Sequence, residues 1–393
     1  MTGVVTIHKG REKPIRQGHP WVFSGAIARA QGAVPGGVVT VTAQDEAFLA
    51  RGYWNPKSQI QVRILTWQDE AIDDVWWRRM LARAAAARFP QSSAGWRVVN
   101  AENDFLPGLI VDRYADFLVL QALTLHVDQQ KAAIARLLAE VFDDAGMLVR
   151  GVYERSDVDV RGKEGLKPEI GLLWGDEPPE RIAFSAHGFE RLVDVRNGHK
   201  TGYYLDQVEN HHLLAGLMAQ SLPGGRVLNL FSYTGGFGLG VDGAVVNVDA
   251  SHEALKLAED TYGANRRPTP TSAQADVFQY VREAVAAGEQ FDAIVCDPPK
   301  FAHTQQQVER AARGYKDLNL HCFRLLRPGG YLLTFSCSGA ISADLFQKIV
   351  FGALVDSGRQ AQILAHLGPG SDHPVALTFP EGAYLKGLLL RVY

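Results

Sequence analysis

Cysteine is scarce in this chain, whose 393 residues include three: Cys296, Cys322 and Cys337. Their odd number and irregular spacing exclude a regular disulfide framework and a CxxC metal knuckle, so each is expected to be a thiol. The sequence also lacks a run of roughly 20 apolar residues, the length a membrane-spanning helix needs, and an apolar N-terminal signal. These absences predict a globular protein of the cytoplasm with no membrane and no metal as a partner.

Charge of one sign does not dominate the chain, whose net charge is -3, but the charge is unevenly distributed. Residues 1–100 hold 13 Lys+Arg against 7 Asp+Glu, and the remainder carries the acidic excess. A basic N-terminal module could meet a polyanion such as nucleic acid. An ordinary solvated surface is the alternative, and composition alone does not separate the two.

The order of predicted elements divides the chain into three domains. Residues 1–72 contain short β-rich runs between Gly, Pro and Asn turns, which predict a small all-β domain. Residues 73–185 mix strands with helical segments and predict a central α+β domain, rich in β-structure. In residues 186–393, apolar strands alternate with glycine turns and helices, which is typical of a parallel sheet covered by helices on both faces. The fold class is therefore α/β, with ligands expected at the carboxyl ends of these strands.

A glycine-rich turn, "NLFSYTGGFGLG" at residues 229–240, follows the first apolar strand of this α/β domain. Such a turn lets backbone approach a ligand closely, although its spacing does not fit the GxGxxG dinucleotide fingerprint. Asp249 ends the second strand, where a carboxylate can accept both hydroxyls of a ribose. Asp276 follows the third strand, from which it could meet an adenine amino group. Each acid alone is more often a helix cap or loop residue, but together they predict an adenosyl ligand such as S-adenosylmethionine.

The fourth strand ends in "CDPPKF", residues 296–301. Two prolines remove backbone donors and stiffen the turn, which leaves Asp297 directed into the cleft. In methyltransferases that act on nucleic acid bases, an Asp-Pro-Pro turn grips the target base, so Asp297 is a candidate for that role. A proline turn with only a structural purpose is the alternative.

The next strand ends in "TFSCSG", which places Cys337 at the same edge of the sheet as Asp297. Carbon 5 of a pyrimidine is a poor nucleophile, but a thiolate that adds to carbon 6 generates an enamine that can attack a sulfonium methyl group. An ordinary thiol is only a few per cent ionised at pH 7, so a positive neighbour should lower its pKa, and Lys300 is one candidate. Packing as a small hydrophobe is the alternative for any cysteine; it suits Cys322 well, and Cys296 should point away from Asp297 by strand alternation.

These motifs, together with others along the whole chain, resemble those of the RlmI-type large-subunit (23S) ribosomal RNA cytosine-C5 methyltransferases. The resemblance rests on a series of long motifs in the family's order: "KGREKPIRQGHPWVFSGAI", "YERSDVDVRGKEG", "GHKTGYYLDQ", "FSYTGGF", "DPPKF", "RGYKDLN", "FSCSG" and "DHPVALTFPEGAYLKG". It implies an N-terminal PUA domain, a central β-rich α+β domain and a C-terminal Rossmann-like methyltransferase domain.

The resemblance also implies a cofactor, a nucleophile and a partner. Cys337 matches the position of the family's nucleophile, and the PUA domain would bind ribosomal RNA, which gives the basic N-terminal residues a use in phosphate contacts. A homodimer is suggested by the resemblance alone. S-adenosylmethionine would lie against Thr201, Tyr204, Asp206, Gln207, Phe231, Tyr233, Thr234, Gly235, Asp249, Asp276 and Asp297.

The sequence departs from the family's pattern in two places. Val208 follows "LDQ", where family members usually have arginine, so any cofactor or phosphate contact of that arginine is missing or replaced. Between Gly236 and Val245 the chain is several residues short for a full first helix of the methyltransferase domain. Both departures predict weakened cofactor binding.

The resulting hypothesis is an enzyme in which Cys337 adds to carbon 6 of a flipped cytosine, while Asp297 holds the base and Asp297, Lys300 or water takes the final proton. A guanine N-methyltransferase that uses the Asp-Pro-Pro turn without a cysteine nucleophile is the first alternative. A non-catalytic RNA-binding or ribosome-assembly protein is the second. Methylation of a small molecule is disfavoured, because it leaves the two N-terminal domains without a role.

Overall fold

The computed structural model describes residues 2–88 and 93–393. The chain folds into two compact units, and each unit is built from three separate segments of the sequence. The first unit comprises the described residues up to Ser185, together with Val193–Leu205 and Asp372–Gly382. The second comprises Ala186–Leu192, Asp206–Ser371 and Ala383–Tyr393. Across the described ranges, no helix is both long enough and apolar enough to cross a membrane.

The N-terminal part of the first unit is a six-stranded sheet with the order β2-β6-β5-β4-β1-β3. Apolar residues alternate along its strands, as in "VVTVT", and the inward set forms a core that includes Val5, Val39, Val41 and Ile64. Its elements are β1 (Gly3–Ile7), helix α1 (Lys13–Arg16), β2 (Trp21–Phe23), β3 (Ile27–Gln31), β4 (Val38–Thr42), β5 (Phe48–Trp54) and β6 (Ile60–Thr66).

The rest of the first unit is a five-stranded sheet, of order β11-β10-β9-β8-β7, with two helices packed against it. Asp73 begins the first helix, because its side chain accepts a hydrogen bond from the amide of Trp76 at 3.0 Å. The elements are α2 (Asp74–Ala86), β7 (Gly95–Asn100), β8 (Leu109–Tyr114), β9 (Phe117–Ala122), α3 (Leu125–Asp144), β10 (Gly151–Arg155) and β11 (Ile170–Gly175). Division of this unit into separate domains at residues 72 and 73 stays a prediction.

A seven-stranded sheet of order β16-β15-β14-β17-β18-β20-β19 forms the second unit. Two short strands, β12 (Ile182–Ala186) and β13 (Phe189–Val193), precede it in the sequence. The seven strands of this sheet and the helices of the same unit are α4 (Val208–Ser221), β14 (Gly224–Leu230), β15 (Gly243–Asp249), α5 (His252–Ala264), β16 (Thr271–Gln274), α6 (Val277–Ala286), β17 (Phe291–Cys296), α7 (Val308–Leu325), β18 (Leu326–Ser336), α8 (Ala343–Ser357), β19 (Ala361–Leu367) and β20 (Lys386–Val392).

The first five strands of this sheet, β14 to β18, are parallel, which confirms the predicted α/β class. The chain builds outward from β14 through β15 to β16 and then returns to β17 on the other side of β14. The strand order therefore reverses between β14 and β17, and a ligand crevice is expected outside the carboxyl ends of these two strands.

Apolar side chains fill both faces of the sheet, as fully apolar strands require. On one face, the Cys296 and Leu332 side chains pack with Tyr315 and other residues of the α6, α7 and α8 helices. On the opposite face, Val295 and Leu333 pack with Leu214 of α4. Two antiparallel strands, β20 and β19, extend the sheet beyond β18, a feature that the β/α alternation did not predict.

The predicted shortening of the first helix is confirmed. Between Leu230 and Gly243 the structure describes every residue, and these residues form consecutive turns without an α-helix. The β14 strand is therefore joined to β15 by a compact turn segment in place of a crossover helix.

Candidate active site

The predicted site residues of the second unit lie at the carboxyl edge of its parallel sheet. Asp249 is the last residue of β15, Phe231 follows β14, and Asp297 follows β17. Cys337 follows β18, the next strand along. Because these four strands are adjacent and parallel, their carboxyl ends meet at one edge and bring the four positions together.

The turn after β14 has an unusual backbone. Phe231 and Tyr233 have φ angles of 57° and 47°, which non-glycine residues rarely adopt, and Gly235 has a φ of 74°. A Cβ atom at position 235 would lie 2.9 Å from Nδ2 of Asn247, so glycine is also required for space. Sparsely populated backbone conformations of this kind cluster at ligand sites, where the surrounding structure holds them. Thr234, between them, is buried.

Asp249 is tied to this turn through its carboxylate. Its Oδ2 atom accepts a hydrogen bond from the backbone amide of Tyr233 at 2.8 Å, and its Oδ1 atom accepts one from the amide of Ser251 at 2.9 Å. The turn and the acid thus form one rigid element. A carboxylate oxygen has further acceptor capacity, so each oxygen can also accept a hydrogen bond donated by a hydroxyl group.

Asp276 has a structural function in addition to any role with a ligand. Its Oδ1 atom accepts from the amide of Gln279 at 2.9 Å, which caps the N-terminus of α6. The residue is exposed at the carboxyl side of β16, next to the buried Val277. A helix N-terminus in this position favours polar or anionic groups.

A hydrogen-bonded chain holds Asp297. Nε2 of Gln207 donates to Oδ2 of Asp297 at 3.0 Å, and Oε1 of Gln207 accepts from Asn210 at 2.6 Å. The neighbouring Asp206 accepts from the hydroxyl of Tyr384 at 2.5 Å. Both Asp206 and Gln207 are buried, so the segment just before α4 is fixed in place beside the Asp-Pro-Pro turn.

Thr201 and Tyr204 belong to the first unit. The fully buried hydroxyl of Thr201 donates to Oδ2 of Asp112 at 2.6 Å and is bonded to the hydroxyl of Tyr114 at 2.9 Å. The amine of Lys200 lies 4.3 Å from the ring centre of Tyr204. The Thr201 side chain thus contributes to the interior of the first unit.

The two serines beside Cys337 have a common partner. Ser336 donates to the hydroxyl of Tyr315 at 2.9 Å, and the same hydroxyl is bonded to Oγ of Ser338 at 3.0 Å. Oγ of Ser338 also accepts from the amides of Phe301 and Ala302, each at 3.2 Å. Both serines are fully buried, so they join the loop that carries Cys337 to the Asp-Pro-Pro turn.

Cys337 differs from the other two cysteines in its surroundings. It is partly buried on the α4 face of the sheet, with its Sγ atom 3.9 Å from the carbonyl oxygen of Pro298. Cys296 and Cys322 are fully buried together on the opposite face, as strand alternation predicts for Cys296. Hydrogen bonding to Cys322, together with burial, raises the pKa of the Cys296 thiol. Among the three, Cys337 is the thiol that is not fully buried.

Lys386 is a further site residue that the sequence did not single out. It begins β20 and lies directly opposite Ser336 of β18. Its amine donates to the carbonyl oxygens of Ser338 at 2.6 Å and Ile341 at 2.7 Å. The lysine stands in the quoted motif "DHPVALTFPEGAYLKG", but nothing in that motif indicates that an antiparallel strand places it opposite Ser336, 50 positions earlier.

A cavity of about 410 Å³ lies beside the Asp-Pro-Pro turn. Two aromatic rings, of Phe278 and Phe301, line it with their centres 5.9 Å apart. The exposed Lys300, His303 and Arg310 surround them. Aromatic faces with cations nearby suit a stacked base and its phosphate.

The first unit carries a cluster of exposed basic residues. Lys9, Arg11, Lys13 and Arg16 fall within eight positions around α1, and all four are exposed. Cations concentrated in this way form an electrostatic surface for a polyanion.

Comparisons with known proteins agree with this architecture. A family model described as a PUA-like domain matches residues 5–67. The chain is 45% identical over 403 residues to ribosomal RNA large subunit methyltransferase I of Aeromonas salmonicida, with all of both chains covered. It is 45% identical over 401 residues to the protein of that name from Shewanella amazonensis, with 99% of each covered. A SAM-dependent methyltransferase structure from Streptococcus mutans, 21% identical, has the same fold over the whole of both chains with a TM-score of 0.83.

Proposed function

Because this chain belongs to the ribosomal RNA large subunit methyltransferase I family, we propose that it methylates carbon 5 of a cytosine in large-subunit ribosomal RNA. One observation carries the choice of carbon 5: Cys337 is the one accessible thiol of the three, at the strand end next to Asp297. Methylation of a guanine nitrogen needs no thiol, so a guanine N-methyltransferase would not explain why Cys337 lies next to Asp297.

S-adenosylmethionine fits the residues at the carboxyl ends of β14, β15 and β16. The close backbone approach at Gly235 and the fixed carboxylate of Asp249 suit a ribose, and Asp276 at the start of α6 suits an adenine amino group. When bound, this group supplies an electrophilic methyl on a sulfonium. The wider proposed set, reached through the family resemblance, adds Asp206, Gln207, Phe231, Tyr233, Thr234 and Asp297 of the second unit. Cofactor contacts of Thr201 and Tyr204 stay predictions from that resemblance.

Cys337 supplies the nucleophile in this proposal. Its thiolate bonds to carbon 6 of the cytosine, and the electron pair of the 5,6 double bond becomes available at carbon 5. After carbon 5 is methylated, a base takes its proton, the double bond forms again and the carbon–sulfur bond breaks. Asp297 holds the polarised cytosine, and Asp297, Lys300 and water are the candidate proton acceptors.

The first unit binds the RNA in this proposal. Within the residues that match the PUA-like model, Lys9, Arg11, Lys13 and Arg16 around α1 are exposed and can contact phosphates in a salt-dependent way. The target cytosine must leave its stack to reach Cys337, at a cost of a few kcal/mol. We place the enzyme in the cytoplasm, where its substrate is made, and a homodimer remains a proposal from the family resemblance.

A second candidate function follows from the short turn between β14 and β15. Without a first helix, fewer backbone amides surround the methionine end of a cofactor, which favours a non-catalytic RNA-binding protein. Calorimetric titration with S-adenosylmethionine separates the two, because the enzyme must bind it and the second candidate need not.

Mass spectrometry of nucleosides tests the proposed reaction. Unmodified large-subunit ribosomal RNA is incubated with S-adenosylmethionine and with wild-type protein, Cys337→Ala or the matched control Cys322→Ala. We expect 5-methylcytidine from wild type and from Cys322→Ala, and none from Cys337→Ala. Methylated guanosine that persists in Cys337→Ala would instead establish nitrogen chemistry and make Cys337 a packing residue.

A further inference from the structure

Lys386 is anchored to the loop that carries Cys337. Its amine donates to the carbonyl oxygens of Ser338 and Ile341, one and four residues beyond the cysteine. Antiparallel pairing of β20 with β18 sets Lys386 opposite Ser336, one residue before the cysteine. The side chain is therefore bonded to the loop beyond Cys337, while strand pairing fixes the Lys386 backbone opposite the residue before the cysteine.

The amine of Lys386 is a partly desolvated cation. Burial lowers the pKa of Lys386 to about 8. The negative charge of the Cys337 thiolate acts to raise this pKa, and the positive charge of Lys300 acts to lower it further. At neutral pH the amine still carries a proton. A cation that has lost part of its hydration interacts more strongly with a nearby anion than a solvated one does.

Two further charged or titratable groups bear on this pair: Tyr315 interacts with Cys337, and Lys300 interacts with Lys386. Tyr315 of α7 lies behind the two serines, and burial raises the pKa of Tyr315, so its phenol is neutral at pH 7. Lys300, on the Asp-Pro-Pro turn, is exposed, so solvent screens its charge. Lys386 is thus the anchored and less hydrated of the two cations.

We propose that the Lys386 ammonium, held on the carbonyl oxygens of Ser338 and Ile341, is the cation that stabilises the Cys337 thiolate. The inference rests on the proposed function, in which Cys337 must ionise before it attacks carbon 6. Lys386 is a positioning residue in this scheme: it acts through the thiolate and fixes the loop that carries it. It takes the role for which the sequence analysis named Lys300 as one candidate.

Alkylation of Cys337 by iodoacetamide across about pH 6 to 10 tests the proposal, because the rate follows the thiolate fraction. Cys296 and Cys322 are both fully buried, and peptide mass spectrometry identifies the modified thiol. The assay needs neither S-adenosylmethionine nor RNA, so its result stands apart from methylation activity.

Three variants separate charge from loop geometry. Lys386→Gln keeps a donor for the carbonyls but removes the charge, Lys386→Arg keeps both, and Lys348→Gln is the control, an exposed lysine of α8. We expect Lys386→Gln to raise the alkylation midpoint by about one pH unit. The rate at pH 7 should fall only about threefold, because a thiolate of higher pKa is also a better nucleophile. Lys386→Arg and Lys348→Gln should stay close to wild type.

Two outcomes would overturn the proposal. An unchanged midpoint in Lys386→Gln would show that the charge is not used, and equal shifts in Lys386→Gln and Lys386→Arg would assign the effect to loop geometry. Thermal unfolding confirms that each variant is folded. A methylating Cys337→Ala variant would refute the proposed reaction instead, and would leave the alkylation result for Lys386 intact.

Discussion

Gln207 donates a hydrogen bond from Nε2 to Oδ2 of Asp297 at 3.0 Å, while its Oε1 accepts one from Asn210. The amide orientation is thereby fixed, since one end must donate and the other must accept. Through this pair, the segment before α4 controls where the Asp297 carboxylate points.

Replacing Gln207 should therefore affect catalysis more than folding. We expect Gln207→Leu to lower kcat for RNA methylation by about tenfold or more, because a small misplacement of a catalytic group is costly. Steady-state kinetics on large-subunit ribosomal RNA measure this, with Gln347→Leu on the exposed face of α8 as the control. Equal activities of the two variants would refute a role for the Gln207–Asp297 bond.

Gly235 should tolerate no side chain. Gly235→Ala places a Cβ 2.9 Å from Asn247 Nδ2 at a φ of 74°, so we expect a loss of about 1–3 kcal/mol in stability and weaker S-adenosylmethionine binding. Gly216→Ala in α4 is the matched control, because its Cβ would meet nothing within 4 Å and alanine favours a helix. Urea unfolding and calorimetric titration give the two quantities. A Gly235→Ala protein as stable as Gly216→Ala would contradict the steric reasoning.

Asp276 combines a helix cap with a proposed cofactor contact, and two substitutions can separate them. Serine caps as well as aspartate, so Asp276→Ser should keep the stability and lose about tenfold or more in S-adenosylmethionine affinity. Asp276→Ala should lose the affinity and also about 1 kcal/mol of stability. Calorimetric titration measures the affinity for S-adenosylmethionine, and thermal unfolding measures the stability. Full affinity in Asp276→Ser would make the residue a cap alone.

Stability should depend on the protonation of Lys386. Its pKa is lowered to about 8 in the folded protein, below the value near 10.4 of an unfolded chain. Between these values the unfolded state binds more protons, so this residue makes stability rise as pH increases from about 8 to about 10. The free energy of unfolding of wild type relative to Lys386→Met should rise over that window, with Lys348→Met showing no such trend. A difference that falls as pH rises would contradict the lowered pKa.

Much of the second unit could be predicted because its pattern is local. Fully apolar strands followed by glycine or Asp-Pro-Pro turns indicate where strands end, and Asp249, Asp297 and Cys337 all lie at those ends. The shortening before Val245 was visible as missing residues. The antiparallel strands β19 and β20 were not predicted, since pairing direction depends on contacts far along the chain.

For the same reason, Lys386 and the shared partner of the two serines were not predicted. Ser336 and Ser338, on either side of Cys337, are buried and bonded to Tyr315, which no local pattern in the sequence indicates. Position in the sequence gives no indication of which tyrosine lies behind a loop. The sequence likewise could not assign Thr201 to the interior of the first unit, because its partner Asp112 is 89 residues away.

The chain passes between the two compact units five times, at Ser185, Leu192, Leu205, Ser371 and Gly382. Neither unit is a contiguous stretch of the gene, so neither can be acquired, lost or exchanged by a single recombination event. A protein truncated after Ser185 would lack both Val193–Leu205 and Asp372–Gly382, which complete the first unit. The two units are therefore inherited together, and substitutions in one are selected in the presence of the other.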